Sequence, residues 1–415
     1  MVMETELITN YLLGKAKHIF KPACNKLRHP FIVPGEGYMN ELWGWDSYWV
    51  ACSLRSMFAR FGDRFVEEHG ITRDDAVLHM KGSVLDFLDS QSDDGSIPSM
   101  LAEEGIFQDF FTDEIKKGHK HNQHAPFLCQ ATLGAAMFTG DFGWFDEEKL
   151  IRYLEYYQQN QYDGKSGLFF WQNDIMIGID NNPTVFCRPP RSSADIFLNC
   201  FIYLEYLALV QILKAKGDSR AIRIGSEAEK LKRAINEEMW DERDGIYYSQ
   251  DISLHHTNCS AGGVKLHSGM PPHWKSMPLK IRIWACFLPM YAGICSAEHA
   301  ERMCTHLTAD DSFLAKYGIR TLASNEKMYC LQNSRGNPSN WLGPVWTVAN
   351  YCVYQGLKNY GKTELSKEVA RRTVALMENS LERYGDLFES YHPDSGKPFM
   401  HPGFLSFNML VSEMM

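Results

Sequence analysis

The chain has 415 residues, 45% of them hydrophobic, and a formal net charge of -9. The acidic balance argues against a nucleic-acid partner and gives no support for an anionic membrane surface, while the apolar share is enough for a sizeable core. Eleven cysteines without a C-x-x-C pair, and an N-terminal stretch without the basic start and apolar run of a secretion signal, predict reduced thiols in the cytoplasm.

Helical periodicity dominates. In chain order, helices are expected at about 47–61, 73–91, 122–139, 146–160, 192–216, 221–240, 297–307, 346–357 and 364–384. In the segment 192–216, Phe197, Phe201, Leu204, Ala208 and Ile212 recur at steps of three or four, which predicts one apolar face. Gly140, Gly217 and Gly361 read as helix stops. The most apolar run lies near 283–295; Pro289 interrupts it, and it is too short to span a bilayer. Strand-period runs are scarce. No linker marks a boundary, so one domain over 1–415 is expected.

Turns of similar type recur at Gly95 (SDDGSIP), Gly167 (GKSGLFFW), Gly245 (RDGIYYS), Gly318 (KYGIRTL) and Gly396 (PDSGKPF), with gaps of 72, 78, 73 and 78 residues. A period of about 75 residues suits two helices and two connections. With the loop at 37–44 these make six units. Six helix hairpins closed into a ring form an all-α (α/α)6 barrel.

No Gly-rich phosphate loop precedes a helix, and no G-x-S-x-G elbow occurs, which argues against kinase, dinucleotide and serine-hydrolase chemistry. His119, His121 and His124 in HKHNQH match none of the common zinc spacings and read as a turn leading into a helix. Asp241, Glu242 and Asp244 read as a plain turn rather than a calcium loop. No metal or cofactor is expected. The aromatic share, 13% with ten Trp, suits the apolar faces of sugar rings and equally a large helical core.

Three carboxylates stand in apolar or aromatic loop settings. Asp46 follows Trp43-Gly44-Trp45 at a helix start, where a helix N-cap is the alternative role. Asp180 follows Ile177-Gly178-Ile179 and precedes Asn181-Asn182-Pro183, where an Asx-turn is the alternative. Glu389 follows Leu387-Phe388, and a salt-bridged structural role competes there; Asp386 reads as a turn residue after Gly385. An apolar setting raises a carboxyl pKa, as acid–base catalysis requires.

Leu42-Trp43-Gly44-Trp45-Asp46-Ser47, Gly95-Ser96-Ile97-Pro98, Gln123-His124-Ala125-Pro126, Ile179-Asp180-Asn181-Asn182-Pro183, Gly343-Pro344-Val345-Trp346 and Glu389-Ser390-Tyr391-His392-Pro393 together resemble successive motifs of glycoside hydrolase family 63. The resemblance covers nearly the whole chain and is to the compact members, including mannosylglycerate and glucosylglycerate hydrolases. It implies an (α/α)6 barrel and hydrolysis of a small α-glucoside or α-mannoside with inversion. It makes Asp180 the general acid and Glu389 the general base, and it gives Asp46 and Gln123 to the non-reducing sugar. Tyr38, Trp43, Trp45, Asn181, Trp341 and Trp346 would line the sugar site. Asn182, Ser390 and His392 depart from the family's usual residues. So do Asn340 and Leu342, which replace an aromatic and an arginine. The loss of that arginine predicts a neutral aglycone in place of glycerate, unless Arg188 or Arg191, just after the acid, meets an acidic one; both fit surface charges equally well.

Inversion needs a water on the face of the ring opposite the leaving group, so the two carboxyls should stand roughly 6.5–9.5 Å apart. The partner is then a small carbohydrate, with neither nucleic acid nor membrane involved. A trehalase-like inverting hydrolase on the same barrel is the second enzyme reading. A non-catalytic sugar-binding or scaffold toroid is the third.

Overall fold

The computed structural model describes residues 6–103, 121–254, 259–266, 273–334 and 337–415. The chain forms an (α/α)6 barrel. Its helices are α1 (Glu6–Lys15), α2 (Gly44–His69), α3 (Arg73–Asp89), α4 (Leu128–Thr139), α5 (Glu147–Asn160), α6 (Ile196–Ala215), α7 (Ala221–Ala234), α8 (Leu288–Tyr291), α9 (Ala297–Thr308), α10 (Thr347–Asn359) and α11 (Thr363–Tyr384). A 3-10 turn, Trp284–Phe287, leads into α8, and another closes the chain at Asn408–Glu413.

The inner ring runs α2, α4, α6, α8, α10 and the C-terminal 3-10 turn. Each touches the next, and the last packs back on α2. The helices α3, α5, α7, α9 and α11 alternate with these along the chain. The sixth outer helix is α1, from the other end of the sequence, which packs on α11 and α2. One buried cluster of side chains runs through the assembly, with Trp49, Phe127, Phe197 and Phe201 among its large members.

The five repeated glycines hold the same place in each unit, between an outer helix and the next inner one. All five have positive φ (91°, 75°, 72°, 123° and 69°), a conformation that costs glycine least. Three of them turn short antiparallel hairpins: Tyr162–Asp163 with Leu168–Phe169, Trp240–Asp241 with Ile246–Tyr247, and Leu314–Ala315 with Gly318–Ile319. The second contains Asp241, Glu242 and Asp244; Asp241 turns the backbone at Asp244, and Lys280 and Arg302 pair with the group.

Several expectations change. The helix expected from 122 begins at Leu128; the Asn122 side chain and the Gln123 N–H and side chain bond to neighbouring loops instead. The helix 221–240 ends in a π turn at Ile235–Met239. Helix α6 is buried on nearly every side rather than on one face, as an inner helix must be. Among the described residues it, and not 283–295, is the helix that matches a membrane span by length and composition, with a mean hydropathy of 1.9 over an 18-residue window, but 78% of that window is buried inside the barrel. The elements α1, α8 and the C-terminal 3-10 turn are additions.

Candidate active site

The connections from outer to inner helices converge on one end of the ring, at the N-terminal ends of the inner helices. There they enclose a cavity of about 560 Å³. Trp45 and Asp46 enter it from the first turn of α2, and Trp346 is the N-cap of α10. Phe407 precedes the C-terminal 3-10 turn. Asp180 comes from the loop before α6, and Glu389 and His401 come from the segment after α11. Helix N-termini carry partial positive charge, so this end of the ring favours carboxylates.

The walls are aromatic. Trp341 stacks on Trp346 with centroids 4.1 Å apart and planes 10° from parallel, and Trp45 sets its edge against Phe407 at 4.9 Å. Two glycines make this packing possible. A Cβ on Gly44 would stand 2.0 Å from His124 Nε2; Gly178, at φ 84°, lays its backbone against the Trp45 ring.

Four carboxylates line the cavity: Glu41, Asp46, Asp180 and Glu389. Burial raises the pKa of Asp180, and the side chains of Ser339 and Asn337 offset part of the rise. Burial also lifts Asp46 to about 7; the Ser406 hydroxyl beside it pulls the value down, and the charge of Asp180 pushes it up. Asp46 is no N-cap, since Trp43 holds that position without a side-chain bond. Glu389 Oε1 accepts a hydrogen bond from the Tyr38 hydroxyl and forms an ion pair with His401 Nδ1 at 3.1 Å. Trp43 donates its indole N–H to Glu41 Oε2 at 3.0 Å.

The structure thus gathers Tyr38, Trp43, Trp45, Asp46, Asp180, Trp341, Trp346 and Glu389 around one cavity. Four candidate site residues do not line it. Gln123 is fully buried and spent on the backbone: its Oε1 accepts from Ile97 N, and its Nε2 donates to the carbonyls of Gly95 and Tyr153. It fastens loops together and has no atom left for a sugar. Arg188 pairs with Asp251 at 2.5 Å, and Arg191 lies over the Phe170 ring. Asn181 works one layer back: its Oδ1 accepts from Trp341 N, and its Nδ2 donates to Asn340 Oδ1, tying the Asp180 loop to the Trp341 wall. Asn340 and Leu342 are likewise off the cavity, one buried and bonded to Cys330 O, the other packed on the core. His119 lies outside the described residues. His124 is buried against Gly44, where loss of solvation lowers its pKa to about 4.

The sequence reading passed over Glu41, Asn337, Ser339, Phe407 and His401. Glu41 and His401 carried a signal: a charged or ionisable residue beside an aromatic or turn-forming motif that already held a catalytic candidate.

A family model described as the mannosylglycerate hydrolase MGH1-like glycoside hydrolase domain matches residues 79–405. The chain belongs to this family, within glycoside hydrolase family 63. A trehalase model matches residues 8–56 of this family member, the stretch that holds Tyr38 to Asp46. The mannosylglycerate hydrolase MGH1 of Selaginella moellendorffii is 34% identical over 114 residues, 27% of this chain and 20% of that protein, so the alignment spans a fifth of the relative's length. The solved GH63 mannosylglycerate hydrolase from Thermus thermophilus in complex with glucose superimposes with a TM-score of 0.67 at 16% identity, covering 98% of this chain and 99% of that one. Neutral trehalase Nth1 from Saccharomyces cerevisiae superimposes with a TM-score of 0.62 at 15% identity, over 93% of this chain and 74% of that one. At these identities both likenesses speak for the fold alone.

Proposed function

We propose that this family member is an inverting α-glycosidase acting on a small, neutral α-glucoside or α-mannoside. Asp180 protonates the glycosidic oxygen as the bond to the anomeric carbon breaks. Glu389 takes a proton from the water that attacks that carbon from the other side. The raised pKa of Asp180 suits a group that must carry its proton near neutral pH. Asp46 accepts hydroxyls of the sugar, and Trp45, Trp341 and Trp346 supply its apolar walls.

The observation that carries the reading is the make-up of the lining. Among the described residues, four carboxyl groups and no lysine or arginine face the cavity. A carboxylate-bearing aglycone such as glycerate finds no guanidinium or ammonium partner there, whereas sugar hydroxyls find acceptors in Glu41, Asp46 and Glu389. The match of the trehalase model over the Tyr38–Asp46 stretch makes α-linked glucobioses the first substrates to try.

The test is a paired assay. kcat/KM is measured for trehalose and other α-glucobioses, an α-mannobiose, glucosylglycerate and mannosylglycerate, with NMR of the first-formed anomer. A neutral disaccharide is expected to be preferred, with release of the inverted β-anomer. A glycerate glycoside as best substrate refutes the neutral aglycone, and a retained anomer refutes the roles given to the two carboxylates.

A further inference from the structure

Glu389 and His401 lie twelve residues apart, on two segments that fold back on each other around the Gly396 turn. Phe388 pairs with Pro402, and Tyr391 with Pro398. Three steps on one segment therefore face four on the other, which is the signature of a bulge. The Phe388–Pro402 register sets Glu389 opposite His401. His401 itself has φ 24°, on the positive side that residues with a side chain avoid. Bulges of this kind re-aim a side chain. Here the imidazole is turned onto the carboxylate, with Nδ1 at 3.1 Å from Oε1.

The second donor to Oε1 is the Tyr38 hydroxyl, whose ring meets the imidazole edge-on at 5.9 Å. No donor among the described residues binds Oε2, which is left as the oxygen open to the cavity. The groups that bear on His401 are thus Glu389, whose negative charge raises its pKa against the effect of burial, and the neutral Tyr38. A donor held against one oxygen of a base fixes its rotamer, so that the second oxygen always meets the water.

We infer that His401 is a positioning residue for the general base: on a bulged segment, with Tyr38, it holds Glu389 Oε1 so that Oε2 receives the proton of the attacking water. The inference rests on the proposed function and refines it. His401 does not touch the anomeric carbon, and its proton stays on Nδ1 throughout.

The variants are His401→Gln, which keeps a donor without the charge, and His401→Ala, which removes both. His401→Ala is expected to lower kcat about tenfold at the optimum from the freed rotamer, while KM stays within about twofold. His401→Gln, which restores a donor, is expected to recover most of that loss. An unchanged kcat in His401→Ala overturns the inference, as does a loss that appears only in KM or a His401→Gln variant as slow as His401→Ala. Thermal unfolding run alongside, with kcat expressed per folded enzyme, excludes misfolding as the source of lost rate. Glu389→Gln separates the two levels of the argument. If it is inactive while the His401 variants keep the wild-type kcat, only the role of His401 falls. If it is active, the role of Glu389 falls first.

Discussion

Asp180→Asn removes one proton donor and almost nothing else. The amide has the shape of the carboxyl and can still bond to the Ser339 and Asn337 side chains beside it. It takes away a carboxyl whose burial disfavours its charge, so the fold should be no less stable. A positioned general acid is worth about 10²- to 10⁴-fold in rate, or roughly 2.7–5.4 kcal/mol at 1.36 kcal/mol per factor of ten. The loss should depend on the leaving group. An α-linked disaccharide releases an alkoxide unless the oxygen is protonated, so its kcat should fall by about 10²- to 10⁴-fold. The matching α-glycosyl fluoride releases fluoride, which needs little help from an acid, and its kcat should fall less than about tenfold. Both rates are read under saturating substrate on the same preparation. Equal losses on the two substrates would refute the argument, since they would mean that Asp180 orients the sugar instead of protonating the leaving oxygen. Near-normal turnover of the disaccharide would remove it from the chemistry altogether.

Glu389→Gln should lower kcat on disaccharide and fluoride alike, by about 10²-fold or more, because the water needs its base whichever group leaves; loss on the disaccharide alone would exchange the two roles. Gln123→Ala orphans the buried Ile97 N–H and removes one hydrogen bond each from the Gly95 carbonyl, which keeps Gln91 Nε2, and from the helical Tyr153 carbonyl. It should cost about 2–4 kcal/mol in urea unfolding with KM within about twofold, whereas a stable variant with a much higher KM would put the side chain on the sugar. Arg188→Ala, which breaks the pair with Asp251 outside the cavity, should leave kcat/KM for glycerate and neutral glycosides within about twofold; a selective loss on the glycerate glycoside would make Arg188 the carboxylate anchor.

The barrel was legible because its units repeat in sequence: the same positive-φ glycine sits after five of the six outer helices. What periodicity could not convey was ring position. Helix α6 was read as one-faced because Phe197 and Phe201 dominate the pattern, but its other faces are covered by neighbouring helices whose positions only the closed ring fixes. The short elements α8 and Asn408–Glu413 have too few turns to show a period at all. The site divides the same way. Asp46, Asp180 and Glu389 stood out because each is a carboxylate embedded in apolar or aromatic sequence, and the structure puts all three on one cavity. Gln123 and Arg188 were misplaced because a polar side chain looks the same in sequence whether it serves a ligand, a distant backbone group or an acidic partner. His401 depends on a cross-strand register and a bulge, neither of which is visible until the segment after α11 is folded back.

Asp46 offers a test of the cavity's electrostatics that needs no substrate. Its folded-state pKa is about 7, raised chiefly by burial, whereas an unfolded chain ionises it near 4. Between those values the folded protein holds a proton that the unfolded one has lost. Stability from this group is therefore present at pH 4, falls as pH rises through 7, and is gone above it. Three pKa units would correspond to about 4 kcal/mol, and hydration at the open mouth of the cavity reduces this to about 1–3 kcal/mol. Asp46→Asn does not titrate, while Asp180 and Glu205, also raised by burial, titrate in both proteins and largely cancel in the difference. The variant should then be more stable than wild type by about 1–3 kcal/mol at pH 8 and by much less at pH 5, as read from urea unfolding at both values. It should also bind sugar poorly, since the stabilising change removes an acceptor from the site, the usual opposition between stability and function at a buried polar group. A difference that does not vary with pH would mean that Asp46 is ionised throughout and that the cavity is better solvated than its apolar walls suggest.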